Sequence, residues 1–285
     1  MFKKVYFLFT LILIFFAHNF CYAEFKRVLP MAPNLVETIY ALGQGDKVAA
    51  IPMFTSYPKE ALEKPDAGSY LYPAFETILR LKPDIIIVQG KFNKMMQFGK
   101  KYKIPVKNVN MDSLSSIFSG IEEIGKILES EDMAEALVKK LKSEIISEDK
   151  EQREKTRVFI CIGRQSGSLK QILTCGEKSF ISELVLYSGG KNIFYDLSRN
   201  YNIVSKEEIV KRNPEIILDI MPGKSFSKEK RENIKKLWLK LFPGKKSINK
   251  KVYVLTDDYI LIPGPRIINT SNLFKSIFKG SYKVE

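Results

Sequence analysis

Apolar residues along the chain fall into a repeating pattern of short unbroken runs, each preceded by an amphipathic stretch and a proline. The runs 85–87 and 216–218 are continuous aliphatic triplets, the signature of strands buried on both faces of a parallel sheet. Segment 74–87 aligns with 205–218 at an offset of 131 residues (205 minus 74). Glu76 matches Glu207, Ile78 matches Ile209 and Pro83 matches Pro214. Each copy predicts a short helix stopped by proline and followed by a buried strand. Two readings remain: a chain of two similar α/β lobes, or a likeness that comes from the punctuation shared by all such units.

Further strands are expected at 27–31, 48–52 and 106–110, then at 157–162 and 252–256. Helices alternate with them. Asn34 followed by Glu37 reads as a capping pair opening a helix over Leu35, Ile39 and Leu42 that Gly43 closes, and Ser205 with Glu208 repeats the device. This alternation predicts an α/β fold with mostly parallel sheets and helices on both faces. Between the lobes, 114–154 has no proline and only Gly120 and Gly125, and Met133, Leu137, Leu141 and Ile145 keep a helical period. Its second half, 131–154, is expected to be one long connecting helix, since ~20 residues span ~30 Å. Its charged face, with Lys139, Lys140, Lys142 and Glu144, reads as solvated surface.

At the N-terminus, Lys3 and Lys4 precede a mostly apolar run, 5–17, then His18-Asn19, then Cys21-Tyr22-Ala23 before Glu24. This is the layout of a cleavable secretory signal. This run of thirteen residues falls short of the ~20 apolar residues that cross a bilayer, so cleavage after Ala23 and export to the periplasm is preferred over an uncleaved anchor. Lipid attachment at Cys21 is disfavoured, because Asn19 and Phe20 precede it where small residues are normal. The expected division is 1–23 signal peptide, 24–130 N-terminal lobe, 131–154 interdomain helix and 155–285 C-terminal lobe.

Composition narrows the chemistry. The 285 residues are 45% hydrophobic, ample for packed cores. Forty-six basic against thirty-two acidic side chains give +14, or +12 once Lys3 and Lys4 are removed, which favours anionic partners without choosing among nucleic acid, phospholipid and small molecule. Export and lysines scattered through the sequence speak against nucleic acid. His18 is the sole histidine, so the exported chain lacks an imidazole base and histidine metal ligands. Cys161 and Cys175 lie on two strand-like segments joined by a glycine-containing loop; in an oxidising compartment they either pair across a hairpin or remain two small buried residues. Enzyme motifs fail: Gly43-Gln-Gly45 closes a helix, Gly223-Lys-Ser225 lacks the earlier glycine of a phosphate loop, and no Gly-x-Ser-x-Gly occurs.

The segments 27–43, 75–88, Ser188-Gly-Gly-Lys-Asn-Ile-Phe194, 204–218, Leu255-Thr-Asp-Asp-Tyr259 and Pro263-Gly-Pro-Arg-Ile267 together resemble the periplasmic solute-binding proteins of ABC importers for cobalamin, ferric siderophores and haem. The likeness is nearest to the cobalamin branch and covers essentially the whole exported chain. It implies two α/β sandwich lobes joined by one long helix, with a bulky metal chelate held in the interlobe cleft and handed on unchanged. The chain would be a monomer with no cofactor and no resident metal site, and its partner a permease dimer in the inner membrane. Glu76 and Glu207, symmetric in the repeat, would dock onto permease arginines; as first-turn acids they would also complement their helix dipoles.

By position in the family pattern, Tyr57, Tyr70, Tyr72, Lys91 and Phe92 would line one side of the cleft and Arg164, Tyr201, Asp258 and Tyr259 the other. For any one tyrosine, packing on its own lobe is the competing reading. The chain departs from the cobalamin branch in having a single tryptophan, Trp238, which is expected in a helix core, and Ile260-Leu-Ile-Pro263 where that branch is charged. Lys91 and Arg164 suit an anionic ferric chelate, arginine gripping two oxygens at once. A chelate scavenger without a transporter, or a two-lobed α/β enzyme, are the rival functions.

Overall fold

The computed structural model describes residues 24–146, 155–247 and 249–282; the expected signal peptide, 1–23, and the end of the expected connector, 147–154, lie outside them. In chain order the elements are β1 (Val28–Pro30), α1 (Pro33–Ala41), α2 (Phe75–Leu81), β2 (Ile85–Val88), α3 (Asn93–Tyr102), β3 (Val106–Asn108), α4 (Leu114–Ile127), α5 (Glu131–Ile145) and β4 (Thr156–Gly163). Then come β5 (Ile172–Cys175), α6 (Phe180–Tyr187), β6 (Gly190–Asn192), β7 (Tyr201–Val204), α7 (Lys206–Arg212), β8 (Ile216–Ile220), α8 (Lys228–Leu239), β9 (Lys251–Leu255) and α9 (Ile267–Phe278).

Two separate sheets result. The first is parallel, in the order β1-β2-β3, with Val28 opposite Ile85 and Ile86 opposite Val106. The expected strand at 48–52 contributes only isolated bridges, Val28 to Val48 and Ile51 to Asp66. The second sheet runs β7-β5-β4-β8-β9, with β6 beside β4. Here β5 alone runs against the rest: it pairs antiparallel with β4 on one side and β7 on the other, while β6 and β8 pair parallel with β4 and β9 with β8, so this sheet is mixed.

The repeat is a structural one. Helices α2 and α7 are both seven residues long. They end on residues in the left-handed region, Lys82 and Asn213, both at φ 47°, which turn the chain into Pro83 and Pro214. The amide of Asp84 then bonds the Arg27 carbonyl at 3.0 Å and that of Glu215 the Arg157 carbonyl at 2.8 Å, setting β2 and β8 beside β1 and β4 in equivalent register. Ser205 caps α7 as expected, its hydroxyl accepting from the Glu208 amide.

Period-two alternation sorts each strand between two cores. Ile86 and Val88 face an outer cluster with Ile78 of α2 and Met95 and Phe98 of α3. Phe159 and Ile217 face a second outer cluster with Ile209 of α7 and Ile234 and Trp238 of α8; Trp238 is fully buried, as expected. The opposite faces, Val28, Ile85 and Ile87 in one sheet and Val158, Ile160 and Leu218 in the other, belong to a single central cluster. Leu35 and Ile39 of α1, Ile117 and Ile121 of α4, Val138 and Leu141 of α5, Leu184 of α6 and Phe274 of α9 fill it.

This layer replaces the expected single rod. Helix α5 ends at Ile145, where Ile146 leaves helical geometry at ψ 88°, well short of 154. Its fifteen residues reach only ~22 Å. Instead α4 and α5 form a tight pair: a Cβ added to Gly125 would lie 2.5 Å from that of Ala134, so only glycine permits the approach. Helices α1, α6 and α9 complete the bridge.

Candidate functional site: the interlobe seam

The carboxyl ends of β1, β2 and β9 converge between the lobes. Residues after β9 cross to the first lobe and are held there by a partly buried polar network. Asn34 Nδ2 donates to the Pro263 carbonyl at 3.1 Å and to Gln89 Oε1 at 2.6 Å. Arg266 forks onto Glu37, Nη2 to Oε1 at 2.6 Å and Nε to Oε2 at 2.9 Å, and its Nη1 donates to Asp258 Oδ1 at 2.9 Å. Asp258 Oδ2 in turn accepts from Ser56 Oγ at 2.6 Å. The carboxylates differ. Glu37 is 3% exposed, and burial raises its pKa despite the arginine. Asp258 is opposed by burial too, yet the Ser56 hydroxyl and Arg266 hold it below the usual carboxylate range.

The same guanidinium lies 4.6 Å from the Tyr57 ring and 5.8 Å from that of Tyr259, within cation–π range. Tyr57, Glu37, Tyr40, Pro58, Arg266 and Asn269 line an interlobe cavity of ≈ 360 Å³. Tyr259 leans on the central core, and burial, then Asp257, pushes its hydroxyl up to about 12. Three of the expected cleft residues, Tyr57, Asp258 and Tyr259, thus meet around Arg266.

A second group gathers on the first lobe. Tyr70 stacks on Phe92 with centroids 4.2 Å apart, and its hydroxyl donates to the Lys91 carbonyl. Phe92 itself is 2% exposed; it supports Tyr70 from beneath instead of facing a ligand, because its side chain turns into the outer core with Met95. Lys91 is exposed. Tyr72 is 79% exposed and Phe54 81%, and with Tyr57, Tyr70 and Leu71 they give this lobe an aromatic rim. Gly68, at φ +82°, makes the bend that carries it: a Cβ there would lie 2.3 Å from the Tyr72 carbonyl oxygen. Tyr201 sits on the edge strand β7 of the other lobe, half-exposed, its hydroxyl pushed up to about 12 by burial and then by Asp112.

Arg164 does not supply a free charge. Its side chain is buried and ion-paired with Asp219, Nη2 to Oδ2 at 2.8 Å and Nε to Oδ2 at 3.0 Å, and Trp238 Nε1 donates to that oxygen at 2.7 Å. Asp219 lies within the apolar strand β8 and requires a cation there. Cys161 and Cys175 do not pair either; both are free and buried. Cys161 stands opposite Thr174 in the register, so Cys175, one residue on, points through the other face: Cys161 joins the outer core and Cys175 the central one. Glu76 and Glu207 are exposed in the first turns of α2 and α7. Sequence reading missed Arg266, Ser56 and Gln89 as seam residues, and took Asn34 and Glu37 for caps.

A family model for periplasmic binding proteins matches residues 31–259. The vitamin B12-binding protein of Vibrio parahaemolyticus is 27% identical over 248 residues, 86% of each chain. An uncharacterized ABC transporter substrate-binding lipoprotein of Bacillus subtilis is 29% identical over 275 residues, 91% of this chain and 82% of its own. A periplasmic haem-binding protein from Pseudomonas aeruginosa superposes with a TM-score of 0.73 at 19% identity, over 90% of this chain and 94% of that one.

Proposed function

The chain belongs to the periplasmic binding protein family, a family of extracytoplasmic transport proteins and not of enzymes, and from that premise we propose that it is the solute-binding subunit of an ABC importer. It takes a bulky metal chelate between its lobes and passes it, chemically unchanged, to a permease in the inner membrane after export through its N-terminal signal. The observation that carries this reading is the aromatic rim, Phe54, Tyr57, Tyr70 and Tyr72, beside a seam where strand ends of both lobes converge. Flat apolar rings offer faces to a macrocycle, and a few fixed polar groups set its orientation.

Within the chelates, a corrinoid fits better than a ferric siderophore. Arg164 and Arg266 are both neutralised by carboxylates, which leaves Lys91 as the exposed cation among the residues assigned to the cleft. A polyanionic chelate would need more. The 27% identical relative that is a vitamin B12-binding protein supports the same choice. Glu76 and Glu207, at matching positions of α2 and α7, are the permease contacts.

Thermal shift of the exported chain against cobalamin, cobinamide, haem and a panel of ferric siderophores tests the reading. A ligand at 100 times its dissociation constant adds ~2.7 kcal/mol of stability. Stabilisation by corrinoids is the expected outcome. Stabilisation by siderophores alone overturns the corrinoid assignment, and silence from every chelate overturns the cleft.

A further inference from the structure

The positive charge is concentrated. Residues 224–251 carry ten lysines and Arg231 against Glu229 and Glu232, a surplus of +9 out of the +12 left when 1–23 is excluded. The lysines taken above as scattered through the sequence are in fact gathered in this one stretch, which the fold lays along one side of the second lobe. Helix α8 covers the outer side of the second sheet with Ile234 and Trp238 turned inward, and β9 is that sheet's edge strand. Lys228, Lys230 and Lys236 of α8 and Lys240 at its C-terminal cap are exposed, with Lys224 before the helix and Lys251 after it. Among the described residues, none of these six has a carboxylate within the 4.0 Å of a salt bridge; Glu232 is instead paired with Lys235 at 2.7 Å. Arg231 is occupied structurally, donating to the Val254 carbonyl and the Thr256 hydroxyl.

Lys236 and Lys240 stand four residues apart on one helix face, where like charges repel. Nothing in the packing of the lobe requires this; an anionic surface would relieve it. We propose that the α8–β9 face docks on an anionic phospholipid bilayer. Two observations favour lipid over another polyanion. The family is extracytoplasmic, so nucleic acid is not its neighbour. The face is built of lysine, a point charge suited to a diffuse field of headgroups, where recognition of individual phosphates or carboxylates uses the arginine fork. An attachment made through lysines is electrostatic, reversible and salt-sensitive. It keeps a loaded binding protein close to the plane in which any membrane partner lies, and does so whichever ligand the cleft holds.

The test is co-sedimentation of the exported chain with vesicles of equal parts phosphatidylglycerol and phosphatidylcholine, against phosphatidylcholine alone, over a range of salt. Each lysine near an anionic surface strengthens partition about fivefold. K228E/K236E/K240E therefore loses at least about a hundredfold in partition. K100E/K126E/K139E, which changes net charge equally on exposed lysines elsewhere, keeps most of it. Melting temperatures of both variants serve as the folding control. Equal loss in the two variants, equal binding to neutral vesicles, or no binding to either overturns the proposal. So does duplex DNA that binds more tightly than the vesicles and is lost with the same triple variant.

Discussion

Arg266→Met removes a guanidinium that ties Glu37 of one lobe to Asp258 of the other. Taking one partner from a buried pair costs ~3–5 kcal/mol, because the remaining charge is left in a medium that cannot solvate it. Here the side chain of Glu37 is 2% exposed and that of Arg266 13%. Glu37 has an escape by taking up a proton, so the lower end of that range, ~3 kcal/mol, is expected near neutral pH. For a chain of this size that lowers the melting temperature by about 6–12 °C. The pH dependence is the sharper test. In the parent protein burial already raises the pKa of Glu37 above its ordinary value, so the folded state binds this proton more tightly than the unfolded state. The stability tied to Glu37 therefore falls as pH rises through its folded pKa. Without Arg266 the pKa rises further. The deficit of R266M is then smallest in mildly acidic solution, where Glu37 is protonated, and grows toward neutrality and above. Urea melts of R266M, E37Q and the double variant at several pH values measure it, with E37Q recovering most of the loss. A deficit that is the same at every pH and untouched by E37Q would refute the reasoning.

Two further outcomes are expected. Reversing both Glu76 and Glu207 to arginine leaves ligand-induced thermal shift intact while abolishing stimulation of the cognate importer's ATPase; stimulation at the parental level removes them from the docking surface. The free thiols of Cys161 and Cys175 stay unreactive until the protein is unfolded, since burial pushes Cys175 up to about 11 and Cys161 higher still. Its melting temperature is indifferent to reductant, and an intact mass two hydrogens light would contradict the register given for β4 and β5.

What could be read in advance was what is locally encoded. The helix, left-handed cap, proline and aliphatic triplet sit within fourteen residues of one another in each copy, so the repeat and its two lobes were visible, as were Trp238 in a core and Ser205 as a cap. Asn34 and Glu37 misled because a capping pair looks the same as two polar residues aimed at partners 229 positions away. Helix α1 in fact has Ala32 at its N-cap and no side-chain cap bond. Arg164 was placed in the cleft by its position in the family pattern, but a cation after a strand serves equally well as ligand grip or as counterion. The signal that decides it is Asp219, a carboxylate inside the apolar run 216–220, which is seldom buried without a partner. The cysteines turned on a one-residue register offset, which spacing along the chain does not fix.

Neither lobe owns its inner lining. The middle layer of helices is wetted by neither side, and dividing the chain there would leave each half with a bare greasy wall. Swapping one lobe for that of a relative, to graft a new specificity, would therefore mean rebuilding α1, α4, α5, α6 and α9 as a set; retailoring the rim loops alone leaves that shared wall untouched.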